Sequence, residues 1–145
     1  MRRVLLPVAV VVLLGAGAAP VASADARFRV IVHPLVKGNQ IPRAALSSIF
    51  LKQASRWGDG SVAKPVDQSV QSSVRRSFSS DVLQQEIVAV QVYWHRQMAN
   101  GVAPPPVKIS DEEIVSFVAS TPGAIGYVSM GTQLPGSVRE VAVVN

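Results

Sequence analysis

The stretch P-V-D-Q-S-V-Q-S-S-V-R-R-S-F, residues 65–78, concentrates polar groups of a kind that bind ligands. It leads from a short predicted strand through a loop rich in hydroxyl and amide groups into a helix predicted to begin near Ser72. A helix start offers free backbone N–H groups and a positive dipole end, which together favour an anion. The hydroxyls of Ser69, Ser72 and Ser73 are further donors. Arg75 adds a planar, two-pronged cation. The stretch therefore predicts an anion site.

A purely structural interpretation of the same stretch stays open. Ser72 is also a favourable N-cap residue, because its hydroxyl can accept from the first helical turn. Arg75 and Arg76 would then belong to a solvated helix face. Under this alternative the stretch begins a helix and binds nothing.

Other residues offer little chemistry. The sequence has no cysteine and none of the common nucleophile, metalloprotease or phosphate-loop motifs. His33 and His95 lie in different predicted elements without a metal-ligand spacing. The acidic run 111–113 falls in a first helical turn, where carboxylates usually complement the helix dipole. We therefore predict no catalytic residue, no metal and no cofactor.

The N-terminus has the three parts of a secretory signal peptide. Basic residues at 2–3 precede an apolar run at 4–14, and Ala22-Ser23-Ala24 offers a cleavage site. We expect residues 1–24 to be removed and a domain of residues 25–145 to begin at Asp25, in the periplasm or secreted. The alternative, a transmembrane anchor, is disfavoured because the apolar run is shorter than the ~20 residues that a span needs.

The charge of the expected mature chain is mildly basic. Two of the 14 Lys and Arg residues and none of the nine acidic residues lie in the signal segment, which leaves a net charge of +3. The basic residues are spread along the chain, whereas a nucleic-acid surface normally shows a clustered stripe. We therefore predict no nucleic-acid partner.

Hydrophobic periodicity predicts an α/β class, because strands and helices alternate. The expected elements are a strand at 27–33, a helix at about 42–51, a short edge strand near 62–66, a helical stretch from about 72 to 98, a helix opened by a capping box at 110–113, and strands at 124–128 and 138–144. The edge position of the third element follows from Pro65, which cannot donate to a neighbouring strand.

The long helical stretch is either one kinked helix or two successive helices, with residues 79–81 capping the second. Leu83, Ile87, Val90 and Trp94 follow a helical spacing and are expected to face the core. Gly126 lies inside the strand A-I-G-Y-V, which indicates that something approaches its backbone closely. That neighbour is either a ligand or another part of the chain.

The order of these motifs resembles the phosphate-type periplasmic substrate-binding proteins of ABC importers, in the type 2 periplasmic-binding superfamily. The resemblance rests on four pieces: residues 41–60 (I-P-R-A-A-L-S-S-I-F-L-K-Q-A-S-R-W-G-D-G), residues 65–78, Tyr93-Trp94 and residues 121–129 (T-P-G-A-I-G-Y-V-S). The family has two α/β lobes with the ligand between them. The resemblance implies a single such lobe here, a small mixed sheet flanked by helices, with Gly126 packed against the chain's own crossover.

The resemblance also implies the residues of the site. The family's loop reads R-x-x-G-S-G-T-R, so Ser72 matches its Ser, Ser73 its Gly and Val74 its Thr. Arg75 matches the Arg that follows. Val74 cannot donate a hydrogen bond, and a Ser Cβ in place of Gly obstructs close approach, so tight binding is not expected. The ligand-binding residues implied by the match are Asp67, Gln68, Ser72, Ser73 and Arg75.

Two functions follow from this comparison. The first is a non-enzymatic solute-binding-like domain that binds phosphate or another small anion weakly, with Arg75→Ala leaving the melting temperature almost unchanged. The second is an envelope structural or interaction protein that kept the fold without the ligand. One lobe cannot enclose a ligand, and a dimer is one way to supply the opposite wall.

Overall fold

A computed structural model describes residues 28–145. The predicted signal peptide and its cleavage site at Asp25 lie outside the described residues. Between residues 28 and 145, no helix has the length and apolar character needed to cross a membrane.

The described chain alternates strands and helices, as predicted. In chain order the elements are β1 (Phe28–Val32), β2 (Gln40–Pro42), α1 (Arg43–Phe50), β3 (Lys64–Pro65), β4 (Asp67–Gln68), α2 (Ser73–Phe78), a π-helical segment (Ser79–Leu83), α3 (Ile87–Ala99), β5 (Val107–Lys108), α4 (Asp111–Ser120), β6 (Ala124–Ser129) and β7 (Arg139–Val144).

Five strands form one mixed sheet in the order β2-β7-β1-β6-β3. β1 pairs antiparallel with β6 and β7, whereas β2 and β3 run parallel to β7 and β6. β3 lies at the edge of the sheet, as Pro65 predicted. β4 and β5 form a separate parallel pair. The predicted α/β class, a small mixed sheet flanked by helices, is confirmed.

Alternate residues of the central strands face two apolar layers. Val30 and Tyr127 point to the layer that holds α1, α2 and α3, and Ile31 and Val128 point to the layer that holds α4. An aromatic cluster fills the first layer. Within it the rings of Phe78 and Tyr127 stack with centroids 3.9 Å apart. This stack joins α2 to the middle of the sheet.

Gly126 faces α4, which explains the glycine in β6. A Cβ at this position would lie 2.8 Å from Ile114 Cγ2, 2.9 Å from Val66 Cγ1 and 3.2 Å from Val118 Cγ2. Real Cβ atoms rarely come so close to a neighbour. The group that approaches Gly126 is therefore the chain itself, mainly the side chains of α4 together with Val66 between β3 and β4.

The helical stretch divides into two helices, but not at the predicted cap. Ser79 has α-helical backbone angles, so α2 passes directly into the π-helical segment that contains residues 79–81. The break comes at Gln84, whose φ of 53° is left-handed. Glu86 precedes α3 and makes no side-chain cap. The expectation that residues 79–81 cap the second helix is wrong, because they lie inside a continuous helical segment.

Most of the predicted apolar stripe is buried. Leu83, Val90 and Trp94 face the core, whereas Ile87 is half-buried. Only one half of the predicted capping box forms, the bond in which Ser110 Oγ accepts from the N–H of Glu113 at 3.2 Å. The Glu113 carboxylate accepts from Ile109 N–H rather than from Ser110.

Two of the sequence motifs meet at one edge of the sheet. Trp57, in the W-G-D-G turn, donates its indole N–H to the carbonyl of Gly123 at 2.9 Å. Gly123, in the T-P-G turn, has a φ of +82°, and a Cβ there would overlap the Val62 carbonyl oxygen. Both the backbone angle and the close contact require glycine at this position.

We predict that Gly126→Ala lowers the free energy of unfolding by about 1–3 kcal/mol, as overpacking a closed core does. Gly131→Ala is the matched control, because its added Cβ meets nothing within 4 Å and its φ is not in the left-handed region. Both changes reduce the entropy of the unfolded chain equally. Urea unfolding that finds the two variants equally stable would contradict the packing of α4 on Gly126.

Candidate ligand site

The junction between β4 and α2 is held in place by backbone bonds to the neighbouring strand. Asp67 N–H donates to the Pro106 carbonyl at 2.8 Å, and Ser69 N–H donates to the Lys108 carbonyl at 3.0 Å. Ser72 is the N-cap of α2, and its hydroxyl accepts from Arg75 N–H at 3.4 Å. The predicted helix start is confirmed.

A buried ion pair lies under this junction. Arg75 Nη1 is 3.3 Å from Asp67 Oδ2, and both side chains are almost wholly buried. The Tyr127 hydroxyl and the Gln68 backbone N–H both donate to the other carboxylate oxygen, Oδ1. The pair and its hydrogen bonds therefore join β4 and α2, which are close in the sequence, to the distant strand β6.

Arg75 has more donors than its partner uses. It is only 4% exposed, and its contact with Asp67 lacks the geometry of a hydrogen bond. Within residues 28–145, neither Nε nor Nη1 of Arg75 has a hydrogen-bond partner. Buried donors without an acceptor are rare because they lose their hydration without compensation. The guanidinium therefore keeps hydrogen-bond donors that no described residue uses.

Burial raises the pKa of Asp67, and the Arg75 charge and the Tyr127 hydrogen bond act against that rise. Burial, together with the Asp67 charge, also raises the pKa of Tyr127 well above its ordinary value. The phenol therefore stays protonated at neutral pH and remains a donor to Asp67.

Gln68 connects the ion pair to a second carboxylate. Its side-chain amide donates to Asp111 Oδ1 at 2.8 Å and to the Tyr127 carbonyl at 2.9 Å. Its amide oxygen accepts from the Ser72 hydroxyl at 3.0 Å. Asp111 also accepts from Ser129 N–H and from the Thr132 hydroxyl. The Ser72 hydroxyl proton is therefore already used inside the protein.

An open cleft of about 500 Å³ lies beside the ion pair. Asp67, Gln68 and Arg75 line it from the β4–α2 junction. Trp94 on α3 and the proline-rich segment before β5 also line it. His95, predicted to be a solvated helix residue, is exposed and also lines the cleft. The buried side chain of Arg75 is therefore part of the cleft wall.

The five predicted site residues come together at this junction but occupy different environments. Asp67, Gln68 and Arg75 line the cleft, whereas Ser72 lies beside it and Ser73 is exposed at the first turn of α2. The solvated-face interpretation is correct for Arg76, which is exposed, and wrong for Arg75, because the latter is buried against Asp67. An almost unchanged melting temperature for Arg75→Ala is no longer expected, because the side chain of Arg75 is buried against Asp67.

Tyr127 and Asp111 belong to the same network and were missed as site residues. The sequence places Tyr127 in a strand and Asp111 in a first helical turn, and both assignments are correct. Neither pattern indicates a bond to residues 67–68. Within residues 28–145, no group of three or more His, Asp or Glu side chains is arranged to hold a metal ion.

We predict that Arg75→Ala lowers the free energy of unfolding by about 3–5 kcal/mol, because it leaves the Asp67 carboxylate buried without its counter-ion. Arg76→Ala, one residue away and exposed, should change it by less than about 0.5 kcal/mol. The double variant Asp67→Asn with Arg75→Met should lose less free energy of unfolding than the sum of the losses in the single variants Asp67→Asn and Arg75→Met. Equal stability of the Arg75→Ala and Arg76→Ala variants in urea melts would contradict the buried pair.

A second prediction concerns acid stability. Burial favours the neutral form of Asp111, but the hydrogen bonds from Ser129, Thr132 and Gln68 outweigh burial and lower its pKa below the ordinary 3.8. A lowered pKa in the folded state stabilises the protein above that ordinary value, and this contribution is lost as the pH falls through the folded value. Asp111→Asn should therefore lose less stability than the unmodified protein between about pH 5 and pH 2.5.

Unfolding by urea at several pH values measures this difference, with Glu112→Gln as the control at an exposed neighbouring carboxylate. The control should keep the steeper acid dependence of the unmodified protein. The same pH dependence in the Asp111→Asn variant and the unmodified protein would show that the network does not hold Asp111 ionised.

Comparison with known proteins gives similarity at the level of structure. No protein-family model matches the sequence, and no curated protein is significantly similar to it. An ABC-type phosphate transport receptor from Vibrio cholerae is 19% identical and has a TM-score of 0.63, over 80% of this chain and 45% of its own. PstS from Borrelia burgdorferi is 15% identical and has a TM-score of 0.64, over 81% of this chain and 47% of its own.

This chain therefore spans a little under half the length of these solved structures. At such low identity the comparison establishes the fold. The fold found by this comparison is the one that the sequence motifs at 41–60, 65–78 and 121–129 implied. The described chain has the α/β fold of the substrate-binding proteins of phosphate ABC transporters.

Proposed function

We propose that this chain is a solute-binding lobe that binds phosphate or another small anion weakly. The observation that supports this most directly is the Arg75 guanidinium, which is buried at the cleft with hydrogen-bond donors that no described residue accepts. The fold adds support, because the similar structures are named as phosphate transport receptors and substrate-binding proteins.

The five predicted residues have two roles in this proposal. In this proposal Arg75 contacts the anion, and the exposed hydroxyl of Ser73 in the first turn of α2 is a further donor. Asp67, Gln68 and Ser72 hold Arg75 and the helix start in place through the contacts described above. We propose no catalytic residue, metal or cofactor for this site.

The expected affinity is low for a physical reason. A charge-assisted hydrogen bond contributes on the order of 1.5–3 kcal/mol. Asp67 already neutralises Arg75, and Ser72 already donates to Gln68, so few strong donors remain. Water also reaches the open cleft. We therefore expect a dissociation constant nearer ~1 mM than ~1 μM, a difference of about 4.1 kcal/mol.

The proposal includes export. Removal of residues 1–24 would place a domain of residues 25–145 in the periplasm or the medium, where substrate-binding proteins of importers act. A nucleic-acid partner is not part of it, because the basic residues form no cluster in the sequence.

The alternative is a ligand-free interaction protein of the envelope. One observation favours it: the donors that the family resemblance assigns to the anion are partly used inside this chain, Arg75 by Asp67 and Ser72 by Gln68. In that case the cleft is a remnant of a lost site.

Calorimetry of the exported protein with inorganic phosphate and with sulfate separates the two functions, with sodium chloride at matched ionic strength as the blank. We expect a dissociation constant of about 1 mM for phosphate. Arg75→Lys, which keeps the charge beside Asp67 but not the planar fork, should weaken binding severalfold. Arg76→Ala should bind like the unmodified protein.

Absence of binding heat well above ~1 mM would favour the interaction protein. Submicromolar affinity would overturn the claim of a weak site. Equal binding by the Arg75→Lys variant and the unmodified protein would place the anion elsewhere on the chain.

A further inference from the structure

The size of the cleft does not match a small inorganic anion. A water molecule occupies about 30 Å³ of liquid, and an anion of five heavy atoms needs only a few times that volume. The cleft measures about 500 Å³, which lies in the range typical of sites for organic ligands. An inorganic anion at Arg75 would leave most of this space to water.

Much of the cleft wall away from the ion pair is apolar, although Gln91 and His95 also line it. Val70 at the β4–α2 junction is 41% exposed, Met98 at the end of α3 is 48% exposed, and Val107 on β5 is 56% exposed. These three side chains and the indole of Trp94 surround the same opening. They offer surface that an apolar ligand body would remove from water.

The charges at the cleft favour one negative charge over two. Asp67 and Arg75 together are neutral, so an anion at the free side of the guanidinium also experiences the Asp67 carboxylate 3.3 Å beyond Nη1. Like charges at short range repel, and the repulsion grows with the charge of the ligand. A carboxylate is a monoanion, and its two oxygens match the planar edge of a guanidinium.

We propose that the cleft binds an organic monocarboxylate with an apolar body. The carboxylate lies at Arg75, and the body lies along Val70, Trp94, Met98 and Val107. This inference rests on the proposed function, because it names the class of anion for the same site. Inorganic phosphate would share the guanidinium but none of the apolar contacts.

The test compares four probes by calorimetry on the exported protein: hexanoate, acetate, 1-hexanol and inorganic phosphate. Hexanoate should bind at least about tenfold more tightly than acetate, because each buried CH₂ group favours binding. 1-Hexanol, with the body but no charge, should bind more weakly than hexanoate. Phosphate should compete with hexanoate, because both require Arg75.

Three substitutions of valine test where the apolar part of hexanoate lies in the cleft. Val70→Ser and Val107→Ser change exposed side chains at the cleft, so folding should be preserved, and each should weaken hexanoate severalfold while leaving acetate unchanged. Val88→Ser is the matched control, because Val88 is a 69% exposed valine on α3 that does not line the cleft. It should bind hexanoate like the unmodified protein.

The outcomes distinguish this inference from the proposed function. Phosphate binding that depends on Arg75, with hexanoate no tighter than acetate, would overturn the organic ligand and leave the anion site standing. Equal loss in the Val70→Ser and Val88→Ser variants would also overturn it. Failure of all the anions to bind would overturn both proposals. Hexanoate binding that phosphate displaces would support both.

Discussion

The buried ion pair of Asp67 and Arg75 is the interaction on which the site depends. A buried charge is costly unless a partner and hydrogen bonds compensate it, and here Asp67 receives Arg75 on one oxygen and Tyr127 and Gln68 on the other. One turn beyond Arg75, Phe78 stacks on the Tyr127 ring. The short helix α2 is therefore attached to β4 by the ion pair and to β6 by the stacked rings. These attachments fix the position of the guanidinium at the cleft.

The same interaction limits what the site can do. Asp67 stabilises Arg75 in a buried position, and it also reduces the positive charge that an anion would experience. Val74 on α2 stands where the loop of the resembled family has a Thr donor, and its side chain is buried in the apolar core. This departure from the family pattern thus contributes to packing. This balance between stability and anion affinity is the physical reason for proposing that binding is weak.

Hydrophobic periodicity predicted the larger helices and strands, because their apolar faces are long enough to produce a repeating pattern in the sequence. The helices α1 and α4 and the strands β1, β6 and β7 all follow from it, and Pro65 correctly marked an edge strand. The strands β2, β4 and β5 have only two or three residues and leave no alternating pattern. The π-helical segment was missed because its residues continue the helical spacing of α2.

The site was predictable in its position but not in its electrostatics. Arg75 and Arg76 are adjacent arginines in a polar stretch, and only the direction of each side chain distinguishes a buried cation from a solvated one. The partner Asp67 was within reach of local reasoning, whereas Tyr127 is 60 residues away from it. The resemblance brought the five residues together, and the fold determined which of them still have free donors.

Arg75 is a buried cation whose donors the described residues do not all use, and we propose that these donors bind an anion. The most direct measurement follows the side-chain Nε–H resonances of the arginines by NMR during a titration with phosphate. We expect the Arg75 resonance to exchange slowly with water at neutral pH and to shift saturably as phosphate is added. The Arg76 resonance should exchange quickly and should not shift. Rapid exchange at Arg75, with no response to phosphate, would contradict this proposal.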